Sequence, residues 1–255
     1  MRKMGLADLH IHTIYSPDGT GTVRAVLKRA AEVGLDVIAI TDHDEIRAAL
    51  EGANLAPAYG LHVIPGCEVS TAEGHLLALF IHRCPPAGLS LSDTVRWVRD
   101  QGGLCVIPHP GHGYQGLRFQ AIQRALSDPE IAPFLVGIEV FNASLFRPRQ
   151  NHIAMATVQR MGLPLALVSN SDAHMVQMIG SAATHFPGRT PEDLREALIN
   201  RRTEVALAQS RFPPALFLKW MAHLALRYTG WVTGNCHPEA PLKKICIWTA
   251  AHQAF

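Results

Sequence analysis

Five separated segments of this chain carry side chains of the metal-ligand type. They are Asp8-Leu9-His10-Ile11-His12, Asp42-His43, Glu68 followed by His75, His109-Pro110 and Asp172-Ala173-His174. Most follow directly on a short apolar run that reads as a strand. A polar group emerging from a buried strand costs several kcal/mol unless it finds a partner. The segments therefore belong at one end of one sheet or barrel, where their nitrogen and oxygen atoms converge on a cluster of metal ions.

Seven segments read as strands: Leu6–His12, Asp36–His43, His62–Ser70, His75–Ile81, Leu104–His109, Leu135–Asn142 and Leu163–Asp172. Near-continuous apolar runs such as Val37-Ile38-Ala39-Ile40 and Leu76-Leu77-Ala78-Leu79-Phe80-Ile81 fit strands buried on both faces. Helical patterns fall between most of them. Val23–Val33 has apolar residues at 23, 26, 27, 30 and 33 with Gly34 as C-cap. Leu91–Gln101 and Arg147–Met161 each end at glycine, and Thr190-Pro191-Glu192-Asp193 reads as a capped helix start. Such alternation predicts a mostly parallel α/β barrel or sheet. The strands around Glu68 and His75 are too close for a crossover helix and predict an antiparallel hairpin. That hairpin brings Glu68 and His75 to the same end.

A length of 255 residues suits one such barrel, or a smaller domain with an appendage. The net charge of +2 gives no broad attraction to nucleic acid or membrane. No run approaches the roughly 20 apolar residues of a membrane span, and the N-terminus has no apolar signal core. Cys67, Cys84, Cys105, Cys236 and Cys246 form no CxxC pair and read as reduced thiols, mostly buried. These features predict a cytoplasmic protein. From about residue 209 a tail begins, with a helix expected through Tyr228. Lys219, His223 and Arg227 would form a basic stripe opposite Leu216, Phe217, Trp220, Met221 and Leu224. Such a helix would pack on the barrel or on a partner subunit.

Two-residue spacing on a strand puts His10 and His12 on one face, suited to two imidazoles on one metal. Asp8 shares that face by the same alternation, as a ligand or as the acceptor that fixes a histidine tautomer. Asp42-His43 also reads as a helix-capping turn. Asp172 and His174 repeat the i, i+2 spacing, and Glu68 can bridge two ions. Imidazole with carboxylate suits Zn, Mn or Fe without choosing among them. Cys67, beside Glu68, is expected to face the core.

Taken in order, Asp8-Leu9-His10-Ile11-His12 with Ser16-Pro17-Asp18-Gly19, Ile40-Thr41-Asp42-His43-Asp44, Gly66-Cys67-Glu68-Val69-Ser70, His109-Pro110, Glu139-Val140-Phe141-Asn142 and Ser171-Asp172-Ala173-His174 resemble the motifs of the PHP (polymerase and histidinol phosphatase) domain family over roughly residues 5–207. The resemblance implies a distorted (β/α)7 barrel over 1–208, with a partly helical C-terminal extension over 209–255. It implies two or three divalent ions in a trinuclear site. His10, His12, Glu68 and Asp172 would hold the first, Glu68, His75 and His109 the second, and Asp18, His43 and His174 the third. Asp18-Gly19 reads equally as a turn. Asp8, Asp42, Glu139 and Asn142 are expected behind these ligands.

The implied activity is that of a phosphoric ester hydrolase using a metal-activated hydroxide, with no Ser or Cys nucleophile. The general acid is left open between a coordinated water and a site histidine. Many relatives place an Arg where this chain has His112; Arg118 or Arg147 could replace its charge on a phosphate. Only 40 residues separate Glu68 from His109, leaving little room for the helical insertion of nucleotide-processing members. The expected substrate is a small phosphomonoester or a nucleotide-like molecule. Histidinol-phosphate phosphatase and a non-catalytic, metal-stabilised module are the alternatives. Nucleic acid is a conceivable substrate, although no basic and aromatic stripe marks one.

Overall fold

The computed structural model describes residues 3–144, 148–206 and 214–228. Among them are nine strands in one sheet, ordered β7-β6-β5-β4-β3-β2-β1-β8-β9. The strands are β1 (Met4–Ile11), β2 (Val37–Ile40), β3 (His62–Thr71), β4 (Gly74–Leu79), β5 (Leu104–Ile107), β6 (Leu135–Asn142), β7 (Ala166–Asn170), β8 (Ala183–Pro187) and β9 (Glu204–Ala206). The helices are α1 (Val23–Glu32), α2 (Arg47–Leu55), α3 (Leu91–Arg99), α4 (Phe119–Leu126), α5 (Pro148–Met161), α6 (Pro191–Ile199) and α7 (Pro214–Tyr228).

The sheet curls into a nearly closed barrel. β1, β2 and β3 are parallel, as are β5, β6 and β7. β3 and β4 form the expected antiparallel hairpin, with Ser70 opposite His75. The seam closes just past β7. His12 N donates to Ala173 O at 2.9 Å and Ala173 N donates to His10 O at 3.2 Å.

The sheet exceeds the expected seven strands by β8 and β9. β8 runs antiparallel to β1, and β9 to β8. Side-chain hydroxyls stitch this pair to β7: Ser169 N donates to Thr184 Oγ1 at 3.0 Å, and Thr203 Oγ1 donates to Leu167 O at 2.8 Å. They fill the gap between β1 and β7. With five and three residues, both are too short for a clear apolar alternation. α2 and α4 also lie beyond the expected helices. α2 reads Arg-Ala-Ala-Leu-Glu-Gly-Ala-Asn-Leu, with few large apolar residues to set a period. Its Gly52 meets the sheet so closely that a Cβ there would sit 2.7 Å from Ile40.

Two apolar layers result. The outer one joins the helix stripes, such as Val23, Val26, Leu27 and Ala30 of α1, to the sheet. The inner one fills the barrel with alternate strand residues, among them Leu9, Val37, Ile64, Leu77, Val106 and Val168. Leu194, Ala197 and Leu198 of α6 pack into that inner layer. α6 carries the predicted cap: Thr190 Oγ1 accepts from Asp193 N at 3.2 Å, while the Asp193 carboxylate accepts from Thr190 N.

Cys67 is buried in the outer layer, as expected from its place beside Glu68, with its Sγ 2.8 Å from that of Cys84. No helix among the described residues is long and apolar enough to cross a membrane.

Phe186 of β8 is fully buried in the inner layer. Replacing Phe186 with Ala is expected to lower unfolding stability by about 3–5 kcal/mol, read as a lower midpoint in urea. A wild-type midpoint would show that β8 is ornamental.

Candidate metal centre

Glu68, fully buried on β3, lies at the middle of the rim. Its Oε1 is 2.8 Å from His75 Nδ1 and 2.9 Å from His109 Nε2. Its Oε2 is 3.1 Å from His10 Nε2, 3.3 Å from His12 Nε2 and 3.3 Å from His43 Nδ1. Asp172 Oδ1 is 3.4 Å from His10 Nε2 and 3.3 Å from His12 Nε2. Asp18 Oδ2 is 3.1 Å from His174 Nε2 and 3.3 Å from His43 Nε2. The fold thus brings together all nine side chains singled out in the sequence.

Their donor atoms form four overlapping groups able to hold an ion: His12, Asp18, His43 and His174; His10, His109 and Asp172; His10, His12 and Glu68; His43, Glu68 and His75. The grouping differs in detail from the family-based division. His12 also reaches toward the Asp18 end, and His109 toward Asp172.

The tautomers bear on what belongs here. His10 Nδ1 donates to Glu139 Oε1 at 2.9 Å. A neutral His10 ring then turns the lone pair of Nε2 toward oxygens of Glu68 and Asp172, so acceptor faces acceptor. His174 repeats this: Nδ1 donates to Asp172 O at 2.9 Å, leaving Nε2 toward Asp18. His43 turns both ring nitrogens toward carboxylates. The ion pairs of Glu68, Asp172 and Asp18 among the described residues all go to histidines, so the balancing cations are protons on imidazole or metal ions between the ligands. Divalent ions fit this donor set.

With no ion between the groups, protons on the imidazoles balance the carboxylates. Burial opposes ionisation of Glu68, yet His10 and His43, with hydrogen bonds from His10 and His109, hold it well below the usual carboxylate range. Burial likewise opposes ionisation of Asp172, which His10, His12 and His174 hold far down. Burial works against a charged His12, but Asp172 and Glu68 push its pKa up to about 10.

Behind the ligands, Glu139 accepts from four donors: His10 Nδ1, His109 N at 2.8 Å, Asn142 Nδ2 at 3.0 Å and Asn170 Nδ2 at 2.9 Å. Asn142 Nδ2 also donates to Asp172 Oδ2 at 3.1 Å. Asp42 accepts from Thr13 N and Thr13 Oγ1, fixing the turn after His12. His109 and Asp172 have φ of 30° and 50°, the left-handed region that non-glycine residues avoid at a cost of about 1–3 kcal/mol.

Asp8 lies buried behind the rim as expected, but its partners are backbone amides and not a histidine ring. Its carboxylate accepts from Ser171 N at 3.0 Å and Gly180 N at 3.1 Å, bracing the segment that carries Asp172 and His174. The acceptor that fixes the His10 tautomer is Glu139. The physical reason is a register irregularity between Asp8 and Ile11, which breaks the two-residue alternation assumed for β1. Burial pushes the Asp8 carboxyl up to about 6.

Asp18-Gly19 forms a turn that also directs the Asp18 carboxylate toward His43 and His174. A Cβ at Gly19 would lie 2.0 Å from Thr13 O, so only glycine closes the loop. Ser16 Oγ donates to Asp18 Oδ1 at 2.8 Å. Asn170 and Thr13 were not singled out in the sequence, and Ser16 stood there only as part of the Ser16-Pro17-Asp18-Gly19 motif; the detectable signal for Asn170 is a buried amide at the end of an apolar strand.

Of the residues expected to grip phosphate, His112 lies beside His109, with ring centroids 6.3 Å apart. Arg118 is exposed at the N-cap of α4. Arg147 lies outside the described residues. The basic stripe expected on α7 is broken, because His223 is buried while Met221 is 45% exposed. Trp220 of α7 reaches the rim instead, its Nε1 donating to Asp18 O at 2.9 Å.

The family profile described as PHP domain matches residues 8–117, and one described as PHP-associated matches 148–203. The chain belongs to the PHP family. An uncharacterized protein of Methanocaldococcus jannaschii is 38% identical to this PHP protein over 162 residues, covering 60% of this chain and 90% of that one. The phosphoribosyl 1,2-cyclic phosphate 1,2-diphosphodiesterase of Eggerthella lenta is 33% identical over 88 residues, covering 32% of this chain and 33% of that one. Among solved structures, a two-domain protein from Bacteroides vulgatus, described as containing a predicted PHP-like metal-dependent phosphoesterase, superimposes with a TM-score of 0.67 at 24% identity. It covers 87% of this PHP chain and 70% of its own.

Substituting Glu139 by Ala strands several buried donors, at about 1–3 kcal/mol each. The expected result is a fold weakened by several kcal/mol in chemical denaturation, with Glu139→Gln milder because one carbonyl acceptor survives. Equal stability of Glu139→Ala and the wild type would exclude this supporting role.

Proposed function

We propose that this PHP protein hydrolyses a small phosphomonoester at a trinuclear divalent centre built from His10, His12, Asp18, His43, Glu68, His75, His109, Asp172 and His174. The observation that carries the reading is the facing of lone pair against carboxylate around Glu68, which only cations resolve, repeated around Asp172 and Asp18. When bound, divalent ions lower the pKa of a coordinated water, hold phosphoryl oxygens and offset charge on the leaving oxygen.

This chain's own residues do the rest. Glu68 shares its two oxygens between the His75–His109 side and the His10–His12–His43 side, which suits a bridge between ions. Glu139 sets the His10 tautomer so that Nε2 faces the centre, and Asn142 orients Asp172. His112, whose ring lies 6.3 Å from that of His109, is the residue we assign to donate to a phosphoryl oxygen.

A small substrate is favoured because β4, α3 and β5 fill the stretch between Glu68 and His109, with no helical insertion above the rim. The Eggerthella lenta relative is named for a small phosphorylated sugar, which supports the same size class.

With Mn or Zn, the purified protein is expected to hydrolyse a generic aryl phosphate. His10→Ala and Asp172→Ala should each cut kcat/KM by more than about 100-fold. Undiminished turnover in either variant would refute the assignment. A parallel screen of phosphorylated metabolites, a cyclic sugar phosphate and short oligonucleotides, with metal content measured on the same sample, ranks the substrate classes. Metal bound without turnover on any of them would favour a metal-stabilised module.

Chelator is expected to abolish activity and lower the melting temperature, with both restored by the divalent ion that the protein carries. This follows from a ligand that binds the folded state alone. An unchanged melting temperature after metal removal, verified by elemental analysis, would count against a buried centre.

A further inference from the structure

From the contacts of α7 we infer that Trp220 is a positioning residue for the Asp18–His43–His174 end of the centre. The inference rests on the trinuclear reading above. It concerns a segment outside both stretches matched by the family, residues 8–117 and 148–203.

Asp18 and His174 come from loops 156 residues apart in sequence. Besides the His174 Nε2–Asp18 Oδ2 contact at 3.1 Å, Thr20 N and Thr20 Oγ1 both donate to His174 O, at 2.9 Å and 3.0 Å. Trp220 adds a further constraint from outside. Its Nε1–H donates to Asp18 O at 2.9 Å, and its ring meets the His174 ring edge-on, with centroids 5.4 Å apart and planes at 64°. One indole therefore touches both ligand-bearing loops.

The indole is itself anchored. Trp220 and Leu216 pack against the outer apolar layer, and Phe217 lies 6.1 Å from Trp220 between ring centroids. A tryptophan has only two side-chain torsions and loses little freedom on being fixed.

The need for such a brace is local to this end. Glu68 and Asp172 sit on or beside strands, buried to within a few per cent, whereas the Asp18 side chain is 27% exposed on a loop. A ligand on a loop is held less precisely than one on a strand. Groups that orient metal ligands from behind are worth about 10–100-fold in metal affinity. Trp220 fills that role through the Asp18 carbonyl and the His174 ring, so the ion at this end should be the weakest of the three without it.

The test uses the full-length protein, stripped by chelator and titrated with Co2+, following visible absorption and indole fluorescence. The wild type is expected to bind three equivalents, the last of them quenching fluorescence strongly. Trp220→Phe keeps a ring but removes the N–H donor and the reporter. It is expected to bind the last equivalent at least about tenfold more weakly, with most of the quench gone. Leu218→Ala, 67% exposed on the same helix, should match the wild type.

A last equivalent bound by Trp220→Phe as tightly as by the wild type would overturn the positioning role while leaving the centre standing. Failure of the wild type to bind Co2+ would overturn the centre and the positioning role together. Circular dichroism of each variant separates loss of the site from loss of the fold.

Discussion

A single buried carboxylate, surrounded by five imidazoles, sets the terms for this molecule. Glu68 has lost its water and has no Lys or Arg partner among the ion pairs described for it. An isolated buried charge of this kind is not sustainable at marginal stability. Cations must accompany it, and the histidines can supply them only as protons or by sharing metal ions. The strained His109 and Asp172 backbones lie on the same rim.

The support is layered. Four donors converge on Glu139, two on Asp42 and two on Asp8, and each of those acids steadies a different ligand-bearing segment. The centre is therefore held mainly by backbone and amide hydrogen bonds from behind. Such bonds keep ligand geometry while the net charge of the site changes. Below the rim, the inner apolar layer and α6 provide a rigid floor, because close-packed interiors transmit little slack.

Most of the residues gathered at the rim were legible in the sequence because they end apolar runs, and the hairpin arithmetic located His75 with no motif to mark it. The strands that hold them were legible as buried apolar segments. What escaped has identifiable causes. β8 and β9 are short and owe their place to the pairing of β8 with β1 and of β9 with β8, and to hydroxyl links with β7, which are tertiary effects. α2 hides in an Ala- and Gly-rich stretch whose fit depends on close approach at Gly52. The partners of Asp8 were misread because a register irregularity cannot be seen in a two-residue period. Trp220 was read as one of several apolar residues on a tail helix, since nothing local to it reveals a partner some 200 positions earlier in the chain.

The seam at Ala173 ties the beginning of the barrel to its end. Leu9 N donates to Asn170 Oδ1 across 161 residues, and His10 and His12 hydrogen-bond to Ala173 beside them. During synthesis from the N-terminus, His10, His12, Asp18, His43, Glu68, His75 and His109 all emerge before Asp172 and His174. A nascent chain thus displays a histidine-rich, half-built rim until its last ligands appear. Closing so long a loop is slow, so under the metal-binding reading proposed above the order of the sequence would expose an incomplete rim to premature metal capture.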